Sequence, residues 1–234
     1  MMTKEKIKEI VDVVASPVLE MMSEFLLDGT VGTIAPGVGN MILAYKQKRA
    51  EKNAEKLISE IWQRQEEFDE KLKKLDFEKM QEITHKYFDL ITEYAVNERQ
   101  EKKIEYIVNG FIKLPEQGDF TEDFVLLYYD TLAELTLLDI RVMKLCLPGQ
   151  KEDNSMKVME DCKIDSGQLR YIVDKLYRKG LFEEKSDENI DRNFQKVLSM
   201  IKDNKDEELV KVGYIGSHQL SDFGKNFLEF FLKR

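Results

Sequence analysis

The sequence predicts a mainly α-helical fold: an N-terminal helical module with long charged helices, then a C-terminal winged helix-turn-helix-like domain with a small β-hairpin. Three observations predict it. The 234 residues include only 4 Pro and 12 Gly against 35% charged side chains, a balance that favours long solvated helices. Apolar residues recur three and four apart along most of the chain. Three helical patterns near the C-terminus lead into Lys179-Gly180-Leu181, a hairpin region and a final helix, which is the element order of a winged helix. The 42% hydrophobic share excludes wholesale disorder. A net charge of −9 argues against coating nucleic acid by bulk charge, but it leaves room for a local basic face.

Ile7, Ile10, Val11 and Val14 give residues 4–15 an amphipathic helical face that ends near Ser16-Pro17. Pro17 suits the first position of a second short helix over 17–27. Gly29 to Tyr45 carries no charge and is broken by Pro36-Gly37, so residues 25–45 read as two apolar pieces around a turn rather than a membrane span. Lys46, Lys48, Arg49 and Lys52 follow at once. Val31, Ile34, Val38, Met41 and Ile42 with Lys46, Lys48 and Arg49 are therefore the candidate residues for oligomer burial or peripheral contact with an anionic membrane. The competing expectation is that the segment packs inside the protein and the lysines begin a solvated helix.

From Tyr45 to Leu75 neither Gly nor Pro occurs. Leu57, Ile61, Phe68, Leu72 and Leu75 keep one stripe, which suits a short coiled-coil seam or an internal packing face. Asp76 is a candidate N-cap after a break at residues 75–77. Helices follow through Met80–Tyr94 and through Ile104–Phe111, stopping before Pro115. The turn at 116–119 is the expected boundary between a helical module at 1–115 and a winged-helix-like domain at 120–234.

Thr121 is the candidate cap of the next helix. Thr136-x-x-Asp139 resembles a capping box, with a helix running from it toward Pro148-Gly149. Residues 155–162 form a short helix. Asp165-x-x-Gln168 opens another, whose buried face is Leu169, Ile172, Val173 and Leu176 and whose exit is Gly180. Residues 187–208 read as an inserted amphipathic helix and 209–215 as a strand, with His218 in a turn. The chain closes on a helix bearing Phe223, Phe227, Phe230 and Phe231, read as core.

The helix at 166–178 is where a winged helix reads DNA. Ser166 and Gln168 are its candidate base-edge residues, and Arg170, Lys175, Arg178 and Lys179 its candidate phosphate contacts. Against this stand Glu183, Glu184, Asp187 and Glu188, placed where a wing would approach phosphates. DNA is thus the disfavoured partner and a protein partner, or self-association, the favoured one. His85 and His218 are the only histidines, and Cys146 and Cys162 lack metal-ligand spacing, so no metal or cofactor is expected. Gly37-Val38-Gly39 is not followed by the Lys-Ser/Thr of a phosphate loop, and no nucleophile–base set is visible, so the chain is read as not an enzyme. Two cysteines and a charged N-terminus without an apolar signal core predict a cytoplasmic protein, membrane-associated if residues 25–45 face outward.

Three segments carry a family resemblance: Leu135-Thr136-Leu137-Leu138-Asp139, then Leu176-Tyr177-Arg178-Lys179-Gly180-Leu181-Phe182, then Leu220-Ser221-Asp222-Phe223-Gly224-Lys225-Asn226-Phe227. Over about residues 98–231 the chain resembles the Abi-alpha (abortive infection alpha) type of bacterial and phage-borne proteins, from which it departs by the insertion at 187–208. The resemblance implies a non-enzymatic role in phage defence or its regulation, and it transfers no catalytic or ligand residues. The alternative is a winged-helix DNA-binding transcriptional regulator.

Overall fold

No glycine or proline occurs between 41 and 109, so no residue of the strongest helix-breaking types interrupts that stretch. The structure, a computed structural model, describes residues 16–18, 21–22, 41–118, 120–147, 155–184 and 218–232. Helix α1 is Met41–Gln63 and α2 is Gln65–Leu72, separated at Arg64, whose backbone leaves the helical region at φ −119° and ψ 18°. Helix α3 is Phe77–Glu82, capped as expected by the Asp76 side chain on the amide of Lys79 at 2.8 Å. It runs through a π turn, Ile83–Tyr87, into α4, Phe88–Asn97. Helix α5, Lys103–Lys113, ends in a 3-10 turn at Leu114–Glu116, which contains Pro115. Helix α6 is Glu122–Glu134, with the Thr121 hydroxyl accepting from the amide of Phe124.

The stripe on α1 and α2 serves an internal face. Ala54, Leu57, Ile61, Phe68 and Leu72 are buried, and α1 packs on α4 and α5. A coiled-coil partner is therefore not needed to cover them. At the turn between α4 and α5 a buried polar knot replaces apolar packing. Asn53 Nδ2 donates to the carbonyls of Ala95 and Glu98, each at 2.9 Å. Glu98 accepts from the amides of Arg99 and Gln100 and pairs with Lys103 at 2.6 Å, both side chains being buried. A buried pair survives only when its remaining hydrogen-bonding capacity is met. Here backbone amides do that for the carboxylate, and the Ala133 carbonyl accepts from the ammonium.

The chain divides into two compact units, one of residues 1–133 with 230–233, the other of 134–229 with 234. The expected boundary at 116–119 falls within the residues of the first unit, with Gly118 at φ +69°. The reason is the inward face of α6. Val125, Tyr128, Tyr129 and Leu132 are buried, and the Tyr129 hydroxyl donates to the Ile107 carbonyl of α5 at 2.9 Å.

In the second unit, α7 is Leu137–Leu145, α8 is Ser155–Cys162 and α9 is Ser166–Arg178. Strands β1, Phe182–Glu184, and β2, His218–Leu220, pair antiparallel with Phe182 opposite Leu220. Helix α10, Asp222–Phe231, follows, and its last two residues belong to the first unit. His218 thus lies in a strand, not in the expected turn. Gly180 takes φ +70°, the left-handed exit that a side chain would strain. Ser221 joins the ends of these elements: its amide donates to Leu181 O at 3.1 Å, its hydroxyl to Gly180 O at 2.5 Å, and its oxygen accepts from the amide of Gly224 at 2.9 Å. The architecture is therefore mainly helical with one small two-stranded antiparallel sheet. The expected helices at 4–15 and 187–208 and the strand at 209–215 lie outside the described residues.

Candidate functional site

Helix α9 begins with a reciprocal cap. The Asp165 carboxylate accepts from the amide of Gln168 at 2.8 Å, and the Gln168 side-chain oxygen accepts from the amide of Asp165 at 3.0 Å. Leu169, Ile172, Val173 and Leu176 then form its buried face, as the spacing predicts. The opposite face carries Ser166, Arg170, Tyr171, Tyr177 and Arg178, all exposed, with Tyr171 at 66% and Tyr177 at 46%. Tyr177 is braced edge-on by the buried His218 of β2, ring centres 5.6 Å apart.

The candidate basic residues separate into two pairs. Lys175 donates to Asp139 Oδ2 at 2.7 Å and to the Glu134 carbonyl at 2.9 Å. Asp139 is itself the N3 residue of the Thr136 capping box on α7, so one carboxylate oxygen takes Lys175, the Thr136 amide at 2.6 Å and the Thr136 hydroxyl at 2.9 Å. Lys179 pairs with the Glu134 carboxylate. Both lysines are thus engaged within the second unit, and Gln168 is engaged in its cap. Of the six candidate nucleic-acid contacts, Ser166, Arg170 and Arg178 stand on the outward face.

Tyr171 and Tyr177 were not among the candidates, although a signal for them existed. Once 169, 172, 173 and 176 are assigned to the core, a 3.6-residue period places 170, 171, 174, 177 and 178 on the far side. Choosing candidates by charge alone passes over the aromatic members of that face.

In the first unit, Lys46 and Lys48 are exposed on the first turns of α1 and Arg49 is half-buried beside them, next to Tyr45 at 67% exposure. Lys52 pairs with Glu101 at 2.5 Å. Met41 and Ile42 begin α1, while Val31, Ile34 and Val38 lie outside the described residues. No helix among the described residues is long and apolar enough to cross a membrane.

The densest polar group of the first unit is a chain of ion pairs. Arg64 grips Glu67 with two nitrogens, at 2.9 and 3.0 Å; Lys71 reaches Glu67 at 2.8 Å and Glu116 at 3.0 Å. The Arg64 hydrogen bond, helped by Lys71 against partial burial, holds the Glu67 carboxyl down at about 2. Arg64 Nη1 also donates to Asn109 Oδ1 at 2.5 Å. These groups are tied to one another, which suits scaffolding better than acid–base chemistry.

His85 is exposed on the π turn, far along the sequence from His218. Neither Cys146 nor Cys162 is in a disulfide, and burial pushes the Cys162 thiol up. Among the described residues no group of three or more His, Cys, Asp or Glu could hold a metal ion. Comparison of the chain with protein-family models, with curated proteins and with solved structures finds no match.

Proposed function

We propose that this chain is a non-enzymatic, bacterial or phage-borne interaction factor of phage defence or its regulation, and that it binds a protein partner through the outward face of α9. The observation that carries the reading is the arrangement on that helix: Tyr171, Tyr177 and Arg178 face outward while Lys175 and Lys179 are engaged by Asp139 and Glu134. Tyrosine and arginine are the residue types that anchor protein interfaces, because each buries a large rigid surface and keeps a polar tip. A phosphate-binding face is carried by cations, and two of the four candidates, Lys175 and Lys179, are already paired. The Abi-alpha resemblance supports the biological setting.

The second reading is the DNA-binding regulator, favoured by the two exposed arginines on a helix that follows another in helix-turn-helix order. Titration of the full chain with duplex DNA at low salt separates the two. The protein reading expects no saturable binding. Saturable binding that falls steeply with salt, and that is lost in Arg170→Glu, Arg178→Glu, replaces it with the regulator.

Membrane contact is a conditional accessory to the first reading, supported by Lys46 and Lys48 on the exposed start of α1. Flotation of anionic liposomes with the full chain and with Val38→Asp, Ile42→Asp checks it; equal flotation of both removes the role of residues 25–45.

A further inference from the structure

A different surface is described by what already occupies it. The chain's C-terminal residues lie on the first unit, held in two ways. Asn109 Nδ2 donates to the Phe231 carbonyl at 3.0 Å, and Lys113 Nζ donates to the Leu232 carbonyl at 2.9 Å. The last carbonyls of a helix have no intrahelical partner, so these two side chains of α5 cap α10. The aromatic pair supplies the rest. Phe230 meets Phe124 and Tyr128 edge-on at 5.8 and 5.0 Å, and Phe231 meets Tyr129 edge-on at 5.3 Å.

The seat is lined by residues of 64–129. Gly110 is its floor: a Cβ there would stand 2.7 Å from Phe231 and 2.8 Å from both Phe230 and the Tyr129 hydroxyl. Arg64 takes the Asn109 oxygen and so turns the amide nitrogen toward the Phe231 carbonyl. Arg64 is in turn fixed by Glu67. Leu57, Ile61, Ile83, Ile91, Ile104 and Val108 give this unit a buried core from residues 41–133 alone. Receptor and occupant are therefore stretches of chain distant in sequence, residues 64–129 and 230–232.

We propose that the groove of Asn109, Gly110, Lys113, Phe124, Tyr128 and Tyr129 is a receptor for a helix C-terminus bearing two adjacent aromatics. Its partner in trans is the Phe230-Phe231-Leu232 end of a second copy, and the same three residues of its own chain keep it closed. The commitment to a second copy follows from fit: the floor, the two ring sites and the two carbonyl donors match this chain's own Phe230-Phe231-Leu232. Exchange of an identical element between copies adds no new contact, so its cost is only the lost advantage of being tethered. The closed form therefore prevails until the tethered segment is withdrawn.

Two variants separate the halves. Phe230→Ala, Phe231→Ala has an open groove and no occupant; Gly110→Val has an occupant and a blocked groove. Mixed at micromolar concentration, they are expected to form a species of greater mass than either alone, by sedimentation or light scattering, and a peptide of residues 222–234 should compete it away. The open-groove variant should bind that peptide at least tenfold more tightly than the wild-type chain does. Folded variants whose mixture stays at the mass of its components overturn the proposal, as does peptide binding without the mixed species, which would assign the groove to another helix end. If either variant does not fold, amide exchange of the wild-type chain decides. Amides of 229–232 exchanging at least tenfold faster than those of α5 uphold a segment that opens by itself; exchange at the α5 rate overturns it.

Discussion

Helices α5 and α9 share a pattern in sequence and differ in use. Each has apolar residues three and four apart, interleaved with Lys, Asn, Gln or Tyr. Helix α5 buries Lys103, Asn109 and Gly110 along with its apolar residues, and each polar one is tied to a named partner: Glu98, Arg64 with Phe231, or the close approach at Gly110. Helix α9 buries four apolar residues only, pairs its two lysines at the margin and leaves two tyrosines and two arginines outward. Hydrophobic spacing thus identifies a face for packing, but whether the polar remainder is scaffold or surface depends on partners distant in sequence.

The largest effect expected from this contrast is on α5. Lys103→Ala leaves Glu98 buried without its counter-ion and should cost about 3–5 kcal/mol; urea unfolding of the full chain reads it as a lower midpoint. A loss below about 1 kcal/mol would show that water reaches the carboxylate. Gly110→Ala comes next, at about 1–3 kcal/mol, because three side chains must give way; thermal melts read it. Thr136→Ala removes one half of the α7 capping box and a hydroxyl donor to Asp139, for about 1 kcal/mol.

A smaller effect follows the proton. Glu67 is held at about 2 in the folded chain against 4.5 for its unperturbed value. A depressed carboxyl contributes stability above the unfolded value and loses it as pH falls through the folded one. The difference in stability between wild type and Glu67→Gln should therefore be full above pH 4.5 and shrink toward pH 2, by an amount reduced by solvent screening because the side chain is 41% exposed. A difference unchanged between pH 5 and 2.5 would sever Glu67 from Arg64. At the far end, Tyr171→Ala and Arg178→Ala should move stability by no more than about 0.5 kcal/mol, as surface changes do.

What was legible in the sequence was local. Asp76, Thr136, Asp165 with Gln168, and Gly180 were readable because caps and left-handed exits depend on residues one to three apart. Pro115 and Gly118 signal a turn, and a turn inside a unit has the same chemistry as one between units, so residue type alone does not tell the two apart. Contacts far apart in sequence, such as Tyr129 on Ile107, Lys103 on Ala133 and Tyr94 on Asp130, place α6 with the first unit. The interruption at Arg64 and the π turn at 83–87 have no Gly or Pro to announce them. Lys175 looked available on α9 because Asp139 lies 36 residues before it and serves visibly as a cap. The outward tyrosines were readable by subtraction from the core face.

The central claim is that the outward face of α9 does this chain's work, and a phage challenge tests it most directly. Bacteria expressing the wild-type chain are compared with bacteria expressing Tyr171→Ala, Arg178→Ala, at matched abundance and with matched melting of the purified proteins. The account predicts protection by the wild type and its loss in the variant. Equal protection by both, or none from the wild type, would contradict it.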